Sequence, residues 1–348
     1  MGDNTGDNVQ ALVLAAVRDG DQAAFGELTD RYRHELRVHC YRMLGSRDDA
    51  DDIVQETLLR AWRRRQTYQG RSTFRAWLYK IATNACLDLI DERGRVARPY
   101  RSAPLAGNPA SPPTEVPWLQ PAPEALFAAP DAPAETAIAR ETVELAFLVA
   151  VQRLPATQRA VLITRDVLGW PAADTAALLG TSVAAVKSAL QRARATLREH
   201  LPPDRGAWRA SAPTRDERAL VRRYVDAHER ADLDVLASLL ADDVRLTMPP
   251  YPAWLRGRDA MLSFTREVFD PDSTWYHGQW RSVVTRANTQ PAVAHYVERP
   301  TADETRSLPG TFRAQVLDVL TVESGRIRAV TSFEPRHFAA FGLPLVLS

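Results

Sequence analysis

The sequence has few of the features that mark secreted, disulfide-bonded or membrane proteins. It contains two cysteines, Cys40 and Cys86, both inside helical patterns, so we predict buried thiols and no disulfide framework. No apolar run approaches the roughly 18–20 residues that a membrane-spanning helix needs. The first ten residues are polar and acidic, which does not fit a signal peptide. These absences predict a cytoplasmic protein without a membrane segment.

The chain also lacks an overall excess of positive charge, because its formal net charge is +1. Nucleic-acid binding therefore has to show itself as a local pattern of residues. The 348 residues, of which 45% are hydrophobic and 25% charged, are typical of a globular protein with two or three domains.

Composition divides the chain into four stretches. Residues 9–97 and 135–201 have helical periodicity. Residues 98–134 between them are crowded with Pro, Ala and Ser, which excludes long helices or strands. Residues 213–348 mix helical segments with alternating, strand-like ones. We therefore predict a multidomain chain in which two all-α domains are followed by an α+β domain.

The first helical domain begins with two well-marked helices. One amphipathic pattern covers residues 22–44, between Asp21 as a capping residue and Gly45 as a stop. Ser46 can cap the next helix. The predicted buried face of that helix is Ala50, Ile53, Val54, Thr57, Leu58, Ala61 and Trp62. Its other face is acidic early and basic late, which suits the helix dipole, so a solvated face and a binding face stay open on pattern alone.

A third helix follows a short polar loop. Its predicted apolar face is Phe74, Leu78, Ile81, Ala82, Ala85 and Leu89. At 100° per residue, Trp77 lies at the edge of that face, beside Lys80 and Asn84. An aromatic ring next to a cation and an amide can stack an unpaired base, hold phosphate and read a base edge. Ordinary packing of a marginal Trp is the other interpretation.

The run DDADDIVQETLLRAWRRRQTYQGRSTFRAWLYKIATNACLDLIDERGR resembles region 2 of sigma-70 factors, in particular the compact extracytoplasmic-function (ECF) group. The resemblance implies that DIVQETLLRAW docks on the clamp helices of the largest polymerase subunit and that FRAWLYKIATNA melts the −10 element. The implied core-polymerase contacts are Asp49, Asp52, Gln55, Glu56 and Arg60. The implied −10 contacts are Tyr68, Gly70, Arg71, Ser72, Phe74, Trp77, Lys80 and Asn84.

The second helical domain has the form of a helix–turn–helix. Residues 142–153 and 155–167 are predicted helices, and a short helix from Pro171 to Leu179 ends at Gly180. A longer helix follows, whose predicted buried stripe is Val183, Val186, Leu190, Ala193 and Leu197. Small residues and hydrogen-bond donors on the outer face suit a helix in the major groove, although an amphipathic helix with a basic face is a common alternative.

The words LPATQRAVLITRDVLGW and TSVAAVKSALQRARATLR resemble sigma region 4, which reads the −35 element. The resemblance implies −35 contacts by Ala184, Lys187, Ser188, Gln191, Arg192 and Arg194. Nothing resembles the region 3 of larger sigma factors, and the Pro-rich stretch stands in its place. EVPWLQP and EALF within that stretch are unusually apolar for a spacer, so they are candidates for docking on another domain.

The last domain has helical patterns at residues 215–230, 234–240 and about 258–269, with strand-like segments around them. Ser324–Gly325 suits a hairpin turn, and we predict an antiparallel sheet. The order of elements and the words TSFEPRHFAAFGLP resemble the SnoaL-like, nuclear-transport-factor-like cone.

Enzymes of that fold place a carboxylate or histidine in the cone to move protons. The candidates here are His277, His295, Asp318 and Glu334, with Tyr251, Trp254 and Trp280 as wall residues. No pair has a recognisable dyad spacing. We therefore predict a non-catalytic domain, without a metal site or a cofactor. The resemblance to sigma factors with such an extension implies that the domain contacts the sigma domains and modulates them.

The resemblance thus implies an ECF sigma factor that binds core polymerase through the clamp helices and the flap, recognises promoter DNA, and performs no covalent chemistry. An anti-sigma factor is a further candidate partner. The alternative is a DNA-binding regulator fused to a small-molecule-binding or enzymatic SnoaL-like domain.

Overall fold

The structure is a computed structural model that describes residues 15–70, 72–96, 116, 118–127, 142–201, 214–251, 253–298 and 310–348. It divides into two compact units. The first unit comprises Met1–Arg98, Ala125–Thr142 and Ala146–Asp204, and the second Pro99–Glu124, Val143–Leu145 and Arg205–Ser348. Within the described part of the chain, no helix combines the length and the apolar character needed to cross a membrane.

The first unit is helical. Its helices are α1 Gln22–Leu44, α2 Arg47–Arg63, α3 Phe74–Val96, α4 Leu145–Gln152, α5 Ala156–Leu162, α6 Ala172–Leu179 and α7 Val183–His200. The predicted signals of the first two helices are confirmed: the Asp21 carboxylate accepts from the first-turn amides, Gly45 ends α1 at φ 71°, and the Ser46 hydroxyl caps α2. Glycine suits Gly45 because other residues are strained at positive φ.

The predictions for the second half of this unit need three corrections. Helix α4 begins at Leu145 and not at residue 142. Helix α5 ends at Leu162 and continues as a π-helical turn, Ile163–Val167, so the predicted single helix changes its hydrogen-bond pattern midway. Val183 was predicted to be buried but is 40% exposed, because it lies in the first turn of α7, where the stripe has not yet reached the core.

The interior of the first unit contains a charged residue that joins its two halves. The buried Arg159 donates from Nη1 to the Met43 carbonyl at 2.6 Å and to Gln152 Oε1 at 2.5 Å. Its Nη2 donates to the Gln152 carbonyl at 2.8 Å. Burial lowers the pKa of Arg159 to about 10, which still leaves it charged at neutral pH. Nearby, the rings of Tyr79 and Trp170 lie 5.2 Å apart.

The second unit is α+β, as predicted. Its helices are α8 Arg215–Glu229, α9 Leu233–Leu239 and α10 Arg258–Phe269. Its strands are β1 Leu240–Thr247, β2 Trp254–Arg256, β3 Gln279–Ala287, β4 Gln290–Glu298, β5 Phe312–Glu323, β6 Arg326–Phe333 and β7 Val346–Leu347. A 3₁₀ segment, Pro335–Phe341, follows β6. The strands β2 and β7 are too short to give a sequence signal.

The sheet has the order β2-β1-β6-β5-β4-β3, and β7 pairs with β5. The prediction of a purely antiparallel sheet is wrong at one place, because β1 and β6 run parallel. The parallel pair is possible because β2 to β5 and α10 lie between these strands in the chain, which gives the connection that parallel strands need. The predicted turn at Ser324–Gly325 is present, with φ of 50° and 72°, between β5 and β6.

One face of this sheet packs against α8, α9 and α10 and forms the core of the unit. Its buried residues include Leu220, Tyr224, Leu236, Leu246, Met261, Val293, Leu320 and Val330. All nine residues of β4 except the last are buried, as expected of a strand covered on both faces. Polar side chains on β4 are therefore inside the unit.

Candidate functional site

The charged face of α2 is held by ion pairs. Arg60 Nε contacts Glu56 at 2.7 Å, and its Nη1 contacts Asp88 of α3 at 3.1 Å. The hydrogen bond from Arg60 lowers the pKa of Glu56. Asp49 contacts Arg93 of α3 at 2.6 Å. Three of the five residues predicted to bind core polymerase are thus partly engaged within this helix pair.

The other two predicted core-binding residues, Asp52 and Gln55, are exposed on the same helix. They lie on the acidic half of the face, and Glu56 and Arg60 also retain part of their surface. The face therefore offers carboxylates and an amide to a partner, on a helix whose orientation is fixed by the ion pairs to α3. Such a pre-formed surface loses little entropy on binding.

An aromatic cluster stands at the start of α3. The Tyr68 ring lies 5.5 Å from both the Phe74 and the Trp77 rings, which are 5.4 Å apart. The Tyr68 hydroxyl donates to the Ser72 carbonyl at 2.9 Å, and Gly70 has φ 68°, so the loop turns back on itself. Burial raises the pKa of Tyr68. The loop is thus tied to α3 by ring contacts and by its own hydrogen bond.

Phe74 is buried beneath this cluster, with Phe25 and Tyr32 also against it. It supports the Tyr68 and Trp77 rings and has little exposed surface with which to contact a base. Its predicted −10 role would therefore be to hold those two rings in position. Arg71, another predicted −10 contact, lies outside the described residues.

Trp77, Lys80 and Asn84 share one face of α3, at spacings of three and four residues. Trp77 is partly exposed, while Lys80 and Asn84 are exposed. Within the described part of the chain, Lys80 and Asn84 form no hydrogen bond or ion pair. A ring edge, an ammonium group and an amide therefore stand side by side with their polar atoms available, which suits a single strand with unstacked bases.

Helix α7 presents its predicted reading face to solvent. Gly180, at φ 63°, ends α6, and the Ser182 hydroxyl accepts from the Ala185 amide to begin α7. The residues Ala184, Lys187, Ser188, Gln191 and Arg192 are all exposed. Arg192 donates to Ser188 at 2.7 Å, which orients the guanidinium along the helix. Small side chains alternating with donors on an exposed helix suit the major groove.

Arg194 differs from the other residues predicted to bind the −35 element. Its guanidinium makes two hydrogen bonds to Asp166, at 2.6 and 2.8 Å. The ion pair raises the pKa of Arg194. This bidentate contact ties α7 to the π-helical turn, so the arginine has a structural partner in addition to any phosphate.

The second unit includes two short pieces of chain from between the helical modules. The Asn288–Thr289 turn, with φ of 55° and 63°, joins β3 and β4. The Asn288 side chain accepts from the Ala122 amide at 2.9 Å and donates to the Val143 carbonyl at 2.7 Å, and its own amide donates to the Ala122 carbonyl at 2.8 Å. One asparagine thus contacts the spacer at Ala122 and the chain just before α4 at Val143.

Neighbouring residues add to this attachment, which we call the linker clamp (Arg286, Asn288 and Gln290). Gln290 Oε1 accepts from the Leu145 amide at 2.9 Å, and Arg286 pairs with Glu124 at 2.6 Å. Val116, Leu119 and Ala122 of the spacer are buried. Of the described residues of EVPWLQP and EALF, Val116, Leu119, Pro121 and Leu126 are buried, whereas Trp118, Glu124 and Ala125 are exposed.

A polar cluster lies inside the second unit. Tyr224 of α8 donates to Asp318 Oδ2 at 2.9 Å, and Ser332 of β6 donates to Asp318 Oδ1 at 2.6 Å. His295 Nε2 lies 3.4 Å from Asp318 Oδ2 without hydrogen-bond geometry. Burial would raise the pKa of Asp318, but His295, Ser332 and His228 lower it further than burial raises it, so it is ionised.

His228 stacks beside this cluster, with its ring centre 4.7 Å from that of His295. Burial, and the neighbouring His295, lower the pKa of His228 to about 3, so it is neutral at physiological pH. Trp280, a predicted wall residue, lies 5.6 Å from His295. Two of the predicted candidates, His295 and Asp318, are thus brought together.

The remaining candidates stand apart from that cluster. His277 stacks on the outer side of Trp280, with ring centres 6.0 Å apart. Glu334 accepts from the exposed Tyr251 hydroxyl at 2.7 Å. Trp254 is fully buried. Sequence reasoning missed Tyr224, His228 and Ser332 of the cluster because no local spacing connects them. It missed the linker clamp because Asn288–Thr289 lacks the glycine of common hairpin turns.

The chain matches three families: Sigma-70 region 2 over residues 28–96, Sigma-70, region 4 over residues 144–197, and SnoaL-like domain over residues 221–330. Two sigma regions on helical modules, followed by a SnoaL-like cone, define the class as a sigma factor.

The relatives make the assignment more specific. The chain is 40% identical over 339 residues to the ECF RNA polymerase sigma factor SigG of Mycobacterium tuberculosis, covering 94% of this chain and 85% of that protein. It is 36% identical over 191 residues to SigM of the same species, covering 54% of this chain and 82% of SigM. The crystal structure of M. tuberculosis SigJ matches with a TM-score of 0.56 at 24% identity, covering 90% of this chain and 97% of that one. The protein belongs to the ECF RNA polymerase sigma factor family.

Proposed function

We propose that the protein binds core RNA polymerase and directs it to promoters by reading −10 and −35 DNA, without covalent chemistry of its own. The observation that carries the proposal is the presence of two separate exposed reading faces in one helical unit. One face is Trp77, Lys80 and Asn84 on α3, and the other is on α7. Because the protein would act with polymerase on chromosomal DNA, we infer that it is cytoplasmic.

The face on α3 supports a role in capturing unpaired −10 bases. Removing a base from the duplex costs a few kcal/mol, and stacking on an aromatic ring returns about 1–3 kcal/mol per base. Trp77 and Tyr68 offer rings that are already held in place by Phe74. Lys80 supplies a positive charge for the backbone, and Asn84 supplies an amide for a base edge.

The face on α7 supports −35 recognition in duplex DNA. Gln191 and Arg192 can each make two hydrogen bonds to one base, and Lys187 can reach a base or a phosphate. The Ala184 and Ser188 side chains are small enough to let the helix approach the groove. The acidic face of α2, with Asp49, Asp52, Gln55, Glu56 and Arg60, is proposed to bind the clamp helices of core polymerase.

For the SnoaL-like domain we propose a modulating role that acts through the spacer between the two helical modules. The linker clamp holds that spacer at Ala122 and the chain just before α4 at Val143. When the linker clamp is formed, only part of the spacer can extend freely between the two helical modules. This limits the ways in which the modules can bind polymerase and promoter DNA at the same time. An anti-sigma factor, if present, would act alongside this restraint.

A second candidate function is that of a DNA-binding regulator whose SnoaL-like domain binds a small molecule or catalyses a reaction in its cone. The buried Tyr224–Asp318–His295 cluster favours it, since perturbed titratable groups gather at functional sites. The two functions differ in whether the chain needs core polymerase.

The test is a pull-down of purified full-length protein with core polymerase, followed by run-off transcription on genomic promoter fragments. We expect binding to core and transcripts that begin at discrete sites. The Arg192→Ala variant should keep core binding and lose about tenfold or more of the transcripts that depend on a −35 element, since a good base contact contributes about 1–3 kcal/mol.

Arg198→Ala is the matched control, because Arg198 is an exposed arginine on the same helix but six residues nearer its C-terminal end than Arg192, whereas a recognition helix contacts base edges with its N-terminal residues. It should transcribe close to the unmodified protein. Equal loss of core binding and transcription in Arg192→Ala would contradict the assignment of α7. Absence of core binding by the full-length protein would favour the second candidate function.

A further inference from the structure

Three side chains from three separate elements meet inside the second unit with their ligand atoms turned toward one another. They are His228 at the end of α8, His295 on β4 and Asp318 on β5. One imidazole nitrogen from each histidine and one carboxylate oxygen lie within 4.8 Å of one another. We call these residues the His–His–Asp cluster. It is independent of the two DNA-reading faces.

Hydrogen bonds leave the inward atoms of both histidines available. His228 Nδ1 lies 3.0 Å from the Tyr224 carbonyl, which can only accept, so Nδ1 carries the proton and Nε2 keeps its lone pair. His295 Nδ1 lies 2.8 Å from the Ser282 hydroxyl. His295 Nε2 is buried and has no hydrogen-bond partner in the described part of the chain.

The third member is fixed in the same way. Ser332 donates to one oxygen of Asp318 and Tyr224 to the other, and each oxygen has a second lone pair. Each of the three residues is therefore oriented by a group behind it, with one nitrogen or oxygen left toward the centre. This is the arrangement of a metal site, in which outer hydrogen bonds fix the tautomer and direction of each ligand.

The charges fit a cation. The cluster contains a carboxylate, and none of its described hydrogen-bond or ring partners is an arginine or a lysine. Two imidazoles and one carboxylate suit first-row transition metals, whereas calcium and magnesium prefer oxygen ligands only. His228 is partly exposed, whereas His295 and Asp318 are buried.

A simple proton-transfer pair explains these residues less well. His295 and Asp318 lack hydrogen-bond geometry with each other, although His295 Nε2 lies 3.4 Å from Asp318 Oδ2. A packed polar core would leave His295 Nε2 buried without a partner, which natural interiors avoid.

We propose that His228, His295 and Asp318 form a binding site for one divalent transition-metal ion, with zinc as the best match to this ligand set. Bonds of about 2.0–2.1 Å would draw the three ligand atoms to about 3.4 Å from one another, which small rotations of His228 can supply. The proposed site goes beyond the expectation from sequence, which named no metal ligands.

The test uses full-length, metal-stripped protein without a histidine tag, titrated with Co²⁺ and followed by visible absorbance, with Zn²⁺ then added as competitor. We expect one Co²⁺ per chain, with the spectrum of nitrogen and oxygen ligands, displaced by an equal amount of Zn²⁺. Zn²⁺ should also raise the temperature at which the second unit unfolds.

His228→Ala should weaken binding about 100-fold, and Asp318→Asn, which keeps the shape of the side chain, should weaken it by a similar factor. His277→Ala is the matched control, since it removes a nearby imidazole that stacks on Trp280 outside the cluster. That variant should bind as the unmodified protein does.

Circular dichroism of each variant separates lost folding from lost binding, and if one of the two ligand variants does not fold, the other decides. Binding of less than one ion per chain, or equal binding by the unmodified protein and the ligand variants, would overturn the proposal. A thiolate absorption band would also overturn it, because it would place the metal on Cys40 or Cys86.

Discussion

The two units differ in where the polar side chains of their candidate sites lie. In the first unit, the groups proposed to contact DNA point outward from α3 and α7, and most of the interior is apolar. In the second unit, tyrosine, histidine, aspartate and serine side chains meet inside, under three helices. A flat outward face can bind a large partner such as nucleic acid, whereas an enclosed polar cluster admits only a small one.

Each unit has exceptions to this comparison, since His39, Arg42, Gln152 and Arg159 are all buried in the first. Arg159 is a charged residue inside the first unit, and the linker clamp is a set of polar groups at the edge of the second. Both hold separate stretches of chain together. Polar groups in this protein therefore bind partners when they are exposed or clustered, and fix chain geometry when they pair with backbone carbonyls and amides.

The largest effect, on the stability of the first unit, is expected from replacing the buried Arg159. Arg159→Leu takes away a guanidinium that satisfies the carbonyls of Met43 and Gln152, and buried carbonyls without donors cost about 1–3 kcal/mol each. We expect the first unit to lose about 2–4 kcal/mol of unfolding free energy, measured by urea denaturation with a probe in that unit.

Arg198→Leu makes the same chemical change at an exposed position and should alter stability by less than about 0.5 kcal/mol. If the two variants unfold alike, the two halves of the first unit are not joined through Arg159.

A smaller effect is expected from changing a partly exposed residue that is proposed to contact DNA. Trp77→Ala removes one stacking surface and should reduce open-complex formation about 10- to 100-fold, which corresponds to about 1–3 kcal/mol. Permanganate reactivity of unpaired thymines at the −10 element measures this directly.

Trp118→Ala is the control, because Trp118 is also partly exposed but lies in the spacer. It should leave permanganate reactivity unchanged. A template with an already unpaired −10 segment should restore much of the activity of Trp77→Ala, and no such rescue would argue against base capture by this face.

The smallest effect is expected at the linker clamp. Asn288→Gly keeps the positive-φ turn and removes only the side-chain bonds to Ala122 and Val143. We expect a loss of about 1 kcal/mol in attachment of the spacer, seen as faster amide hydrogen exchange at Ala122, and an altered transcription rate with unchanged core binding.

Thr289→Gly changes the other residue of the same turn and leaves the bonds to Ala122 and Val143 in place. It should exchange and transcribe as the unmodified protein does. If both variants change transcription equally, the effect comes from the turn and not from the clamp.

Local signals in the sequence predicted local structure well. Asp21, Gly45 and Ser46 fixed the bounds of α1 and α2, and the period of α7 identified its exposed face. The sequence did not predict the burial of Tyr79, because α3 is covered on a second side, where Tyr79 meets Trp170. The periodicity of a single helix does not predict whether a second face of that helix will be covered by another module.

The candidate sites divide in the same way. Most residues of the reading faces follow from resemblance over short contiguous stretches of sequence. Those that the structure describes are exposed or partly exposed, apart from Phe74. The His–His–Asp cluster depends on which strands become neighbours, since β4 and β5 are adjacent in the sheet and α8 crosses them. That information is held in the register of the sheet and in no local spacing, so the sequence could name His295 and Asp318 but not pair them with His228.

The linker clamp also sets an order of events during synthesis. Ala122 leaves the ribosome 166 residues before Asn288, the residue that will hold it. At about 5–20 residues per second, both helical modules are complete for part of an interval of about 8–33 s in which the spacer has nothing to hold it. Every newly made molecule therefore passes through an unrestrained form, and chains truncated before the β3–β4 turn remain in it.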